Sequence, residues 1–311
     1  TRFKCDWSSD VCSSDLKLTL LQVLGAQYER SGDHYERLVH YEQERLELAR
    51  EMGDRFEEGN ALMFCGQIQA LNLGDLEGGL AKLRESLQIM EVVSNKIFPL
   101  LRLAQIQIAL GQFEDARQTL EIAQPVAERN VYDLGRVGLK MVTILLYNAL
   151  GDAVHLNLAL DVTGEIMQME ERQLISRQYL MAAACEATAS HLGLARLAVD
   201  EADRKAHIAK SLETSQLALD IYNSFGYVSI IECSPEEIFW RRSLALSANG
   251  RQEEAVDFLK MAYNEMMRKY EMIPADSHYR RTFLENLANH REIRAAYTAA
   301  SLSETANQRN S

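Results

Sequence analysis

Glycines punctuate this chain at intervals that constrain its fold more than its composition does. In the stretch RLAQIQIALGQFEDARQTLEIAQ, residues 102–124, Leu103, Ile106 and Leu110 fall three and four apart and share one helical face. Gly111 then ends the helix, where a left-handed residue costs glycine little. A second helix follows, with Phe113, Ala116, Leu120 and Ala123 on one face. The small residues Ala104 and Ala116 stand where the two helices must approach closely. The arrangement recurs at Gly32, Gly74, Gly151 and Gly250, and more weakly at Gly193, in steps of roughly forty residues, the longest before Gly250. A helical hairpin repeating at such a period predicts an all-α solenoid, each unit burying its apolar face only against its neighbours.

The repeat resembles the tetratricopeptide repeat. Gly25, Tyr28 and Gly32 match its pattern in the first unit, Ala104, Gly111, Ala116 and Ala123 in the third, and Ser243, Gly250, Ala255 and Ala262 in the sixth. Gly66, Gly74 and Gly79 match loosely in the second. The steps exceed the family's usual length of about 34 residues, as in the longer-helix, MalT-like variant of bacterial regulators. The resemblance covers about residues 17–270. It implies a right-handed superhelix of about six hairpins whose first helices line a concave groove. Counted from the turn glycines, the groove positions are Gln22, Ala26, Phe64, Ile68, Leu101, Gln105, Met141, Leu145, Trp240 and Leu244. The family's carboxylate clamp needs Lys, Arg and Asn at such positions. This chain offers mostly apolar residues, which implies a groove for a hydrophobic peptide, an amphipathic helix or another domain of the same polypeptide. For each position the alternative is a core residue one register away. Trp240 is the leading candidate, because tryptophan is enriched at binding hot spots. Arg241 and Arg242 beside it read as exposed charges.

The segment RRTFLENLANHREI, residues 280–293, is similar to the closing helix of long bacterial signalling proteins, in which a nucleoside-triphosphatase switch precedes a tetratricopeptide sensor. Here a helix over about residues 276–300 is expected to cap the sixth unit through Tyr279, Phe283, Leu287 and Tyr297. Arg281, Glu285 and Glu292 should face water. The closing residues 301–311 read as a disordered tail.

The opening stretch, residues 1–16, has no helical period, holds two of the five cysteines and resembles a translated sequencing adapter. It is expected to be a non-native leader, leaving 17–300 as the solenoid. The remaining cysteines, Cys65, Cys185 and Cys233, sit in apolar helical contexts and read as buried free thiols of a reducing cytoplasm. A formal net charge of −12 without a basic stripe speaks against nucleic acid as a partner. No apolar run is long enough to span a bilayer, so no membrane role is expected.

The chain carries no phosphate loop, no GxGxxG, no HExxH and no CxxC. His34 and His40 are six apart, on different helical faces, and read as surface residues rather than metal ligands. In SPEE, Ser234 is the expected N-cap, Pro235 the first helical residue and Glu237 the returning carboxylate of a capping box. No catalytic group, cofactor or metal is therefore expected. The sequence reads as a cytoplasmic interaction or sensor module whose partner is a protein or peptide, the C-terminal regulatory region of a truncated bacterial signalling or transcriptional regulator. A stand-alone adaptor is the alternative, as is the regulatory part of an ATPase or nucleotide cyclase whose catalytic domain lies upstream of Lys17.

Overall fold

The computed structural model describes residues 9–93, 96–129, 133–225 and 233–309. Among these residues every regular element is a helix. In chain order they are α1 (Ser9–Ser31), α2 (34–52), α3 (55–72), α4 (Leu76–Val93), α5 (Ile97–Ala109), α6 (Phe113–Arg129) and α7 (Asp133–Leu150). There follow α8 (Ala153–Glu171), α9 (Arg177–Leu197), α10 (Glu201–Ser224), α11 (Pro235–Ala248), α12 (Gln252–Met272), α13 (Tyr279–Glu285) and α14 (Ala288–Arg309). No helix is long and apolar enough to cross a membrane among the described residues.

Local chemistry sets the boundaries. Asp54, Asp152, Ser176 and Asp200 each accept a hydrogen bond from a backbone N–H of the helix they precede. Gly32, Gly74, Gly111, Gly151 and Gly250 all hold positive φ in the tight turns between paired helices. Gly193 does not. It lies inside α9, where a side chain would strike Leu156, and the turn comes only at residues 198–200. That shift accounts for the long step before Gly250.

Each pair, from α3–α4 to α11–α12, packs helix on helix, and the second helix of one pair packs on the first of the next. The first helices α3, α5, α7, α9 and α11 also touch in succession. Ala116, Ala123 and Ala127 are buried with Leu100, Leu101 and Ala104 in one such seam, where small side chains let α5 and α6 approach.

The expectation that units bury their faces only against neighbours is corrected at the C-terminus. The expected capping helix is broken at Asn286 into α13 and α14, and it reaches back across the molecule. Tyr279 OH accepts from Gln69 Nε2 at 2.9 Å. Thr282 Oγ1 donates to the Leu73 carbonyl at 2.7 Å, and Asn286 Nδ2 to the Gly74 carbonyl at 2.8 Å. Arg268, on α12, donates to the Ser31 carbonyl at 2.9 Å. The last elements thus seal against the first two pairs. Tyr279, Phe283 and Ile293 join a single core with Leu38, Ile68, Met141 and Trp240. Tyr297 stacks on Tyr263 with ring centres 3.9 Å apart, while Arg281, Glu285 and Glu292 are exposed as expected.

Two further boundaries differ. The expected leader ends inside α1, whose helix already runs from Ser9, and residues 1–8 lie outside the described ones. The expected disordered tail is helical as far as Arg309.

Candidate binding cleft

The groove candidates do not share one surface. Ile68, Met141 and Trp240 lie in the central core, and Trp240, 6% exposed, donates its Nε1 hydrogen to Glu292 Oε2 at 3.1 Å. Trp240, the leading groove candidate, is thereby corrected to a core residue, because the returning α14 covers it. Leu145 is half-buried, and Gln105, buried, accepts from Arg102 Nη1 at 2.7 Å. Leu244 is half-buried and lines a cleft of about 610 Å³ between α9, α10, α11 and α14, with Arg196, Arg204 and Arg241 at its polar side.

Phe64 and Leu101 belong to a different place. They line a cleft of about 440 Å³ crossed by α1, α2, α3, α5, α7 and α9. From α3 come Phe56, Asn60, Met63, Phe64 and Gln67, which recur every three or four residues along one face. Across from them stand Phe98, Leu101 and Arg102 of α5, Leu134 and Val142 of α7 and Tyr179 of α9. Gln22, a groove candidate on α1, closes one side, and Ala26 lies one turn on, half-buried. Gly138 of α7 lies so near α5 that a Cβ there would stand 2.8 Å from Leu101 Cδ1. That glycine lets the two first helices pinch the floor.

Buried charge braces the α2–α3 wall. Arg37 Nη2 lies 2.9 Å from Glu42 Oε1, Arg45 Nη1 3.3 Å from Glu42 Oε2, and Arg45 Nη2 2.5 Å from Glu57 Oε2. The Arg37 and Arg45 guanidinium carbons stand 5.0 and 5.7 Å from the centre of the Phe64 ring. This chain of charges was missed by reading periodicity alone. Its signal is RLVHYEQERLELARE, residues 37–51, whose charges recur three to five apart.

His34, Glu237 and Arg242 also depart from the roles expected of them. His34 is buried beside Asn72, and burial followed by the Lys269 charge pushes its pKa down to about 3. Glu236 is buried too. Burial raises its pKa, but the Lys269 ammonium 2.6 Å away and His290 outweigh that and hold the carboxyl well below the usual range. Glu237 does not fold back to complete a capping box. Ser234 Oγ accepts from Glu237 N, whereas the Glu237 carboxylate accepts from Arg241 Nη2 and Asn289 Nδ2. Arg242 is buried and donates to the Leu212 carbonyl and Ser215 Oγ. Cys65, Cys185 and Cys233 are free and buried. Among the described residues no group of three His, Cys, Asp or Glu is placed to hold a metal ion.

No protein-family model matches the chain, and no curated protein matches it.

Proposed function

We propose that this chain is a tetratricopeptide-type solenoid of six helical hairpins acting as a protein-interaction or sensor module, the C-terminal regulatory part of a bacterial signalling or transcriptional regulator. The observation that carries this reading is the cleft around Phe64 and Leu101. Its apolar side chains, among them Met63, Phe64, Phe98, Leu101 and Val142, stand beside the charged Arg45, Glu57 and Arg102, it crosses the first helices of several successive pairs, and it stays open although α14 covers the Trp240 end. Successive first helices lining one continuous surface are what a repeat scaffold offers an extended or helical partner segment. The acidic balance of the chain favours a partner other than nucleic acid.

A photocrosslinking amino acid at Phe56, on the cleft rim, tests the reading in cells. A defined protein should crosslink there and not from Met261, exposed on α12. Leu134→Glu, which places a charge at the mouth of the cleft, should abolish that crosslink in a folded protein. Equal crosslinking from both positions, or indifference to Leu134→Glu, would reject the cleft as the docking site.

A further inference from the structure

Gln67, on the wall of this cleft, carries a buried polar atom without a hydrogen-bond partner. Gln67 is 1% exposed, and its Oε1 accepts no hydrogen bond. A buried acceptor left unpaired costs the fold, and native interiors pair nearly all such groups. We propose that the cleft seats the aromatic side chain of a tryptophan or tyrosine from a partner peptide, and that the Gln67 amide turns toward it so that the indole N–H or phenol O–H donates to Gln67 Oε1. This inference rests on the reading of the cleft as a partner site and adds the chemistry of the anchor.

The walls and charges narrow the choice of donor. Met63, Phe64, Phe98, Leu101 and Val142 give the cleft apolar walls, so the occupant needs a large apolar body. A serine or threonine is too short to fill about 440 Å³. Lysine and arginine carry more donors than one carbonyl oxygen satisfies, and Glu57, the one acid on the wall, is already paired with Arg45. Tryptophan and tyrosine combine a large apolar face with a single donor, and the Met63 thioether is a favourable neighbour for a ring. The rim argues for a side chain on a longer segment rather than a free small molecule. Phe56 and Leu134 at the mouth are 40% and 48% exposed, so apolar surface continues beyond the cleft and needs cover from flanking residues.

The test uses the whole chain with methyl-labelled Met63 and Leu101 and three probes followed by NMR. The probes are N-acetyl-tryptophanamide, its benzothienyl isostere without the N–H, and a short acetylated peptide with tryptophan between leucines. The tryptophan amide should shift both methyl signals and bind about tenfold more tightly than the isostere. The peptide should bind more tightly still. Gln67→Met, which keeps the shape and removes the acceptor, should erase the preference for indole. Equal binding of amide and isostere to the wild-type chain overturns the hydrogen bond while leaving the apolar cleft as a partner site. Equal binding of amide and peptide assigns the cleft to a free aromatic molecule and overturns the peptide anchor. No methyl shift with any probe overturns both this inference and the reading of function beneath it.

Discussion

His34, Glu236 and Glu237 give the molecule a pH dependence that its exposed charges would not. The folded pKa of His34 is pushed from 6.5 down to about 3, so its neutral form belongs to the fold. That contribution is complete above pH 6.5 and is lost as the pH falls toward 3. Glu236, held below its ordinary 4.5 by Lys269 and His290, adds a loss on the acid side below that value. Glu237 works in the opposite direction. Burial and then the Glu186 charge push it from 4.5 up to about 7, so its contribution is present below 4.5 and lost as the pH rises through about 7. Melting temperature should therefore fall on both sides of a mildly acidic maximum. Between pH 4.5 and 6.5 the His34 and Glu237 contributions offset each other, so His34→Gln should flatten the drop below pH 4.5, and Glu237→Gln should remove the drop near pH 7 and let stability rise up to pH 6.5. Unchanged profiles in both variants would show that these groups do not titrate as placed. At Trp240 the buried ring and its bond to Glu292 separate two costs. Trp240→Ala should lose about 3–5 kcal/mol in urea unfolding. Trp240→Phe keeps most of the packing and should lose about 1–2 kcal/mol.

Turns and close helix pairs carry the next scale. Gly111 and Gly74 both hold positive φ, but nothing lies within 4 Å of a Cβ built at Gly111, whereas one at Gly74 would run into the Thr282 carbonyl. Gly111→Ala should then cost only the conformational term, about 1–2 kcal/mol. Gly74→Ala adds a collision between α13 and the turn before α4, so it should cost distinctly more. Equal losses in calorimetry would mean that α13 moves away freely. Ala116, fully buried against α5, has no room for growth, and Ala116→Leu should destabilise by about 1–3 kcal/mol. These glycine turns were legible because positive φ is a local demand that names its residue. Gly193 shows the limit. It looks like a turn glycine in SHLGL, yet it serves the close approach of Leu156 from α8, which no local pattern announces.

Closure is decided at the scale of the whole chain. The short helix α13 holds Phe283 fully buried in the central core, although by itself it is seven residues long. If the seal against the first two pairs is part of the cooperative fold, Phe283→Ala should cost about 3–5 kcal/mol and leave a single unfolding transition. A cost below about 1 kcal/mol, the range of ordinary surface substitutions, would show that the C-terminal elements fray independently. The double variant Thr282→Val, Asn286→Ala removes the bonds to the Leu73 and Gly74 carbonyls, together with the local bond of Thr282 to the Tyr279 carbonyl, and should weaken the same seal to a smaller degree.

By itself, the sequence determined that the chain is helical, where most helices start and stop, and which face of each is apolar. Those features follow from spacings of three and four residues, from N-caps and from glycine turns, all of them local. It did not determine which apolar positions end in the core and which remain open, since Ile68, Leu101, Met141 and Trp240, all buried, share the spacing of the half-buried Phe64. Only the tertiary structure decided that, through hydrogen bonds between residues about 210 positions apart that bring the last helices back over one end of the first-helix surface. Burial depends on what finally covers a side chain, and here the cover comes from the far end of the chain. The acceptor at Gln67 was hidden from the sequence for the same reason. Whether an amide oxygen is paired depends on neighbours from helices that the sequence leaves far apart.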